Sequence, residues 1–322
     1  MKGNPRAVTL GELLIDFVPE ENGVSLAEAR TFVKAPGGAP ANVAVGLARL
    51  GVPTGFLGKV GDDPFGHYLA GVLADAGVDV KHLAFDAQAR TALAFVSLTA
   101  TGERDFMFYR HPSADMRHRA EEIDEAYLSA AALLHVGSIS LIQEPSRSAT
   151  LRALDIAAAN GLTVSYDPNL RLALWPTPEA AREGIRSVWR RAHVIKISED
   201  ELEFLTGSSD LAAARTLRHE QLRLLVVTRG AAGAWYLTRQ GEGEVAGFRV
   251  DTVDTTGAGD AFTAALLAGL LERDAVEGGR DALEAVLRRA NAYAALTTTR
   301  RGAIPALPSR SALQAFLSEN AG

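Results

Sequence analysis

The ten residues Asp254-Thr255-Thr256-Gly257-Ala258-Gly259-Asp260-Ala261-Phe262-Thr263 lead without a break into the apolar stretch 264–271. A glycine loop therefore opens a buried helix and places an acid on its first turn. Backbone N–H groups at a helix N-terminus lack intrahelical partners and point outward with the positive end of the macrodipole, so they can hold developing negative charge. Gly257, Ala258 and Gly259 supply such donors, and the two glycines let a phosphate come close. Beside a bound phosphate, the Asp260 carboxylate can take the proton of an attacking hydroxyl. Phosphoryl transfer with Asp260 as general base is the chemistry this segment suits; a plain helix cap is the other use of an acid there. Two other phosphate loops do not fit. A dinucleotide fingerprint needs a small residue where Phe262 stands, and no Gly-x-x-x-x-Gly-Lys-Ser/Thr string occurs, since Gly58-Lys59 is followed by Val60.

Residues 37–51 form a second cluster, Gly-Gly-Ala-Pro-Ala-Asn-Val-Ala-Val-Gly-Leu-Ala-Arg-Leu-Gly, a glycine turn opening a helix that stops at Gly51. Asn42, on its first turn, offers a donor and acceptors, as sugar hydroxyls require, while Gly37 and Gly38 let a ligand touch the backbone. Alone, this cluster reads equally as a capped helix. Its pairing with the distant Asp260 loop favours a site for two substrates.

Both loops need a scaffold, and the rest of the chain describes one. Short β-branched or Leu-rich runs (7–17, 163–167, 222–228) alternate with Ala-rich helical stretches (41–50, 180–191, and the helix from Asp260). This alternation predicts a parallel sheet covered on both faces. Segments 91–98 and 104–109 alternate in shorter steps around Thr101-Gly102-Glu103 and predict a hairpin. With the stretch after Asp16, that hairpin forms a small β flap whose closure would expel water.

The 322 residues are 47% hydrophobic, enough for a substantial core, and no linker divides them. A net charge of −6 with scattered Lys and Arg opposes a nucleic-acid partner. The chain has no cysteine, which excludes disulfides and thiolate chemistry. No apolar run reaches membrane-spanning length and the first residues lack a signal-like core, so no membrane association and a cytoplasmic location are expected.

Taken together, the two glycine clusters resemble the signatures of the ribokinase-like (PfkB) carbohydrate kinases. Intermediate strings extend the resemblance over essentially the whole chain: residues 11–16 (Gly-Glu-Leu-Leu-Ile-Asp), 58–63 (Gly-Lys-Val-Gly-Asp-Asp), 196–201 (Lys-Ile-Ser-Glu-Asp-Glu) and Thr228-Arg229-Gly230. Residues 108–116 and 167–171, followed by Leu174-Trp175-Pro176, look like the fructokinase branch. The resemblance implies an α/β three-layer ribokinase-like fold with a mostly parallel central sheet and a small β-sheet lid. It implies a single domain over 1–322, with the lid built from segments near 12–36 and 91–110. The implied activity is transfer of the γ-phosphoryl group of MgATP to a hydroxyl of D-fructose, giving fructose 6-phosphate. Rivals are 2-keto-3-deoxygluconate or another sugar or nucleoside as acceptor, and, from another class, a non-catalytic sugar-binding regulator, which the intact Asp260 opposes.

Roles follow from the same resemblance. Asp16, Gly37, Gly38, Asn42, Arg110 and Arg171 would bind the sugar; on a sugar acid the two arginines would grip the carboxylate. Gly257, Ala258 and Gly259 would form the anion hole beside the base Asp260. Ser198, Thr228, Gly230 and Asn291, with Gly257 and Gly259, would meet ATP, and Gly302-Ala303 would line the adenine side. Glu201 would order Mg2+ through water, in an element where Ser198 replaces the usual Asn. Asp254 and the Thr256 carbonyl match a position for K+. Kinases with such a flap often pair through it, so the flap is the expected contact of a homodimer.

Overall fold

The computed structural model describes residues 5–21, 23–98, 104–272 and 276–320; the turn expected at 101–103 lies outside them. The first half of the chain contains β1 (Ala7–Leu10), β2 (Leu14–Pro19), β3 (Phe32–Gly37), α1 (Ala39–Arg49), β4 (Thr54–Gly61), α2 (Pro64–Asp75), β5 (Leu83–Asp86), β6 (Leu93–Leu98), β7 (Arg104–Tyr109), α3 (Glu125–Ser129), β8 (Leu133–Val136) and α4 (Ser146–Ala159). The second half adds β9 (Thr163–Tyr166), α5 (Pro178–Trp189), β10 (Val194–Ser198), α6 (Glu199–Thr206), β11 (Leu224–Thr228), β12 (Ala234–Thr238), β13 (Glu242–Val245), α7 (Ala258–Glu272), α8 (Arg280–Thr298) and α9 (Arg310–Glu319).

Nine strands make the main sheet in the order β13-β12-β11-β10-β9-β8-β1-β4-β5. All pairings from β5 to β11 are parallel; β12 and β13 finish one edge antiparallel. Successive side chains of a strand point to opposite faces, so a strand covered on both sides must be apolar throughout. In β11, Leu224 and Val226 join a core with residues of α1, α7 and α8, while Leu225 and Val227 join another with residues of α4 and α5. Helices therefore cover both faces, the three-layer architecture expected from the sequence.

The run 7–17, read as one strand, is divided between two sheets. β1 stays in the main sheet, whereas β2 belongs to a four-stranded sheet ordered β3-β2-β6-β7, the lid. Glu12 makes the corner: its buried carboxyl accepts a hydrogen bond from the Ala39 N–H at 2.9 Å, tying the departing chain to the start of α1. Register places Asp16, Ala35, Ala94 and Phe108 on one face of the lid. On the other face Phe17 stacks on Phe95 at 5.0 Å and meets Phe65 of α2 edge-on at 6.0 Å, which props the lid against the body.

Parallel strands bring their C-terminal ends to one edge of the sheet, where ligands of open α/β folds bind. α1 and α7 both begin at that edge and lie against one another. At Gly46 a Cβ would fall 2.5 Å from the Ala264 methyl, so only glycine allows this approach. That contact sets the distance between the two helix openings.

Candidate active site

Asp260 and Asn42, 218 positions apart in sequence, meet where α7 and α1 begin: Asn42 Nδ2 donates to Asp260 Oδ2 at 2.7 Å. Asn169, in the turn after β9, donates its Nδ2 to the other oxygen, Oδ1, at 2.9 Å. The carboxylate is thus fixed by two amides while 6% exposed. Burial raises its pKa to about 6; the Asn42 hydrogen bond and the Lys196 and Arg171 charges pull downward, and Asp167 pushes further up. A base held near the ambient pH has both a usable ionised fraction and real proton affinity. Asn42 Oδ1 is buried without a protein partner, an acceptor suited to a ligand hydroxyl.

Asp16 comes from β2 of the lid. It leans on Gly37, where a Cβ would lie 2.1 Å from Asp16 Oδ2, so the glycine makes room for the carboxylate. Burial lifts Asp16 to about 7, Arg171 lowers it, and the negative charge of Asp260 raises it again. Arg171, whose Nη1 donates to the Leu170 carbonyl at 3.1 Å, thus lies within electrostatic range of both acids. Arg110 lies deeper at the lid root, 5% exposed, with Nε 3.1 Å from Asp115 Oδ2 and its Nη2 on the same oxygen.

Around the opening of α7 the loop is held in place by its neighbours. Gly257 has φ +75°, and a Cβ there would lie 2.7 Å from that of Ala303, so another residue would be strained and crowded. The Gly302 N–H donates to Asp254 Oδ2 at 2.8 Å, while Asp254 Oδ1 accepts from the Thr256 N–H at 2.9 Å and from its hydroxyl. Behind the loop, Lys196 Nζ lies 3.2 Å from Asp167 Oδ2, and a Cβ on Gly259 would come within 3.1 Å of Nζ. Burial opposes the Lys196 charge, but the carboxylates of Asp167, Glu201 and Asp260 outweigh it and raise its pKa. The Thr263 hydroxyl sits 3.0 Å from both Asp167 Oδ2 and the Gly259 carbonyl. Positive charge thus underlies the helix opening where phosphate charge would develop.

Ser198 ends β10 opposite Thr228 of β11 and caps α6, its backbone N–H donating to Glu201 Oε2 at 2.8 Å. Glu201 Oε1 accepts from the Leu170 N–H at 2.7 Å, which anchors the turn carrying Asn169 and Arg171. Gly230 follows β11 with φ +53°. Asn291 of α8 donates to the carbonyls of Val245 and Ala246, both at 3.1 Å, and so fastens the segment after β13. Among the described residues no group of three or more His, Asp or Glu could chelate a metal directly. Glu201 nonetheless fits an outer role, since each carboxylate oxygen keeps a lone pair for a metal-bound water. At Asp254, both oxygens likewise hold the loop.

Sequence reasoning did not single out Asn169, Asp167, Lys196 or Thr263. Lys196 carried a readable signal, because a lysine inside the apolar strand Val194-Ile195-Lys196-Ile197 must have a buried counter-charge. Asn169 carried a weaker one, an asparagine directly after Pro168 in the turn that follows β9; its left-handed φ of +47° is visible only in the structure.

Fold and site together describe a phosphotransferase acting on a sugar hydroxyl: an anion-binding helix opening, a buried base, and polar side chains converging from a second sheet. Residues 4–310 match the pfkB family carbohydrate kinase, and the chain belongs to that family. It is 54% identical over 315 residues to the protein named probable fructokinase-4 of Arabidopsis thaliana, covering 97% of each chain. Among solved structures it resembles the fructokinase with bound ATP from Xylella fastidiosa, at 34% identity and TM-score 0.88, covering 99% of this chain and 100% of that one. It also resembles a double mutant of the fructokinase from Vibrio cholerae O395 in fructose, ADP and potassium ion bound form, at 38% identity and TM-score 0.86, covering 98% and 99%.

Proposed function

We propose that this chain is an ATP-dependent fructokinase that makes fructose 6-phosphate, with Asp260 as the general base. The observation that carries the assignment is the Asn42–Asp260–Asn169 arrangement, which holds one carboxylate buried, oriented and shifted to about 6 at the mouth of an anion-binding helix. Asp16 and Asn42 hold the sugar. Asp260 takes the proton of the attacking hydroxyl as that oxygen bonds to the γ-phosphorus; the bond from phosphorus to the β-phosphate bridging oxygen breaks and ADP leaves. The N–H groups of residues 257–259 and the Lys196 charge stabilise the phosphoryl oxygens during transfer.

Thr228, Gly230 and Ser198 meet the triphosphate, and Asn291 supports the adenine side. Mg2+ would supply charge neutralisation on the nucleotide, and Glu201 would be the residue to hold it through water; K+ at Asp254 and Thr256 would stiffen the anion-hole loop. The lid exposes Val18 and Val33, register partners on its Asp16 face, and this apolar patch supports a homodimer through the lid. The cytoplasm is the proposed location.

Replacing Asp260 with Asn tests the base directly. Turnover should fall by about 10²–10⁴-fold, the range for a lost general base, with fructose binding measured by calorimetry changed only slightly. Unchanged turnover would remove Asp260 from the mechanism.

A further inference from the structure

The two arginines assigned to the sugar pocket differ in their partners. Arg171 donates to the Leu170 carbonyl at 3.1 Å and lies within electrostatic range of Asp16 and Asp260. Arg110 gives Nε and Nη2 to Asp115 Oδ2, while Asp115 Oδ1 accepts the Ser113 hydroxyl, so both oxygens of Asp115 are committed to this arrangement. Glu12 lies within electrostatic range of both Arg110 and Asp115, and its carboxyl also bonds the Ala39 N–H at the opening of the Asn42 helix. The Arg110–Asp115 pair therefore lies within electrostatic range of the carboxyl that anchors the loop proposed to hold the sugar. Arg110 and Asp115 are 5% and 7% exposed, so solvent does little to screen this pair.

Resting on the sugar-kinase reading above, we propose that Asp115 is a specificity-determining residue. By occupying the Arg110 fork it makes the pocket accept neutral sugars and reject sugar acids. A guanidinium recognises a carboxylate by a bidentate fork, and here an internal carboxylate already fills that position. A sugar carboxylate entering the pocket would be desolvated among acids and would find the Arg110 fork already filled. A sugar hydroxyl or ketone carries no charge to compensate, and Nη1 of Arg110, which does not bond Asp115, can donate to it. Asp115 acts through Arg110 and is a positioning residue.

The test compares kcat/KM for D-fructose and for 2-keto-3-deoxygluconate in the unmodified enzyme, in Asp115→Asn and in Arg110→Gln. The unmodified enzyme should favour fructose by at least 10²-fold. Asp115→Asn should raise the ratio of acid to fructose at least tenfold, chiefly through a lower KM for the acid, and added salt should weaken that gain. Arg110→Gln should lower fructose turnover without any gain on the acid. Comparable use of both sugars by the unmodified enzyme would overturn the proposal, and so would parallel losses on both sugars in a folded Asp115→Asn. Should Asp115→Asn fail to fold, the unmodified enzyme and Arg110→Gln decide. Absence of fructose turnover alongside turnover of another neutral sugar would refute the fructokinase assignment alone; the same comparison then runs with that sugar and its aldonic acid.

Discussion

At the scale of single residues, the site is a set of carboxyls, Asp260 buried and Asp16 half-buried, whose protons are tuned by their surroundings. Asp260 is raised to about 6 and Asp16 to about 7, in both cases first by burial. On the proposed mechanism Asp260 must be ionised to take the proton, and Asp16 accepts from two hydroxyls at full strength only when ionised, so kcat/KM for fructose should fall as pH drops through this interval and level off above it. Because the two acids interact, the limb belongs to the pair, and Asp16→Asn should leave a single, lower transition. A pH profile independent of acid between 5 and 8 would contradict the assignment. Stability follows the opposite sign. A carboxyl whose pKa is raised on folding contributes stability below its unfolded pKa and loses it as pH rises through the folded value. Unliganded Asp16→Asn should therefore be more stable than the unmodified protein at pH 8 by on the order of 4 kcal/mol, and melt higher, with the gap closing near pH 4. In the sequence, Asp260 and its glycines were legible because helix opening, acid and loop are contiguous. Asn169 was not, since its contact spans 91 positions and depends on where the C-terminal end of β9 falls. The Arg110–Asp115 pair was equally hidden, because two charges five residues apart in a loop have no fixed geometry until the loop folds.

At the scale of elements, α1 and α7 act as one part. Each opens with glycine, each presents a polar side chain on its first turn, and the Gly46–Ala264 approach sets their spacing. Gly46→Val should separate the helices, costing about 1–3 kcal/mol by overpacking. Its kcat should fall together with Tm, measured by steady-state kinetics and thermal melts. Gly257→Ala differs: strain at φ +75° and the crowding against Ala303 fall on the anion hole, so turnover should drop more than tenfold at nearly constant fructose KM. The alternation of strands and helices could be read from composition, since β10 and β11 must be apolar on both faces. The break between β1 and β2 could not. Residues 7–17 are apolar enough for one strand, and what divides them is the Glu12 bond to Ala39, a tertiary contact across 27 positions.

At the scale of the whole molecule, a body with nine strands carries Asp260 and the 257–259 loop, and a four-stranded lid carries Asp16. Val18→Glu with Val33→Glu places like charges across the exposed lid face. If that face is the dimer contact, sedimentation should show the unmodified protein as a dimer and the double variant as a monomer. The division of acids between lid and body has one more consequence. On the proposed mechanism the acceptor oxygen is located by reference to two bodies at once, and only a molecule that touches both would be brought in line with the phosphorus. Water spans neither, so the position of the lid governs the stoichiometry between ATP spent and sugar phosphate formed. Phe17→Ala would remove the aromatic prop on Phe65 and slacken the lid while leaving Asp260 in place. Its expected signature is leakage, with more ADP released than fructose 6-phosphate produced, where the unmodified enzyme releases one for one.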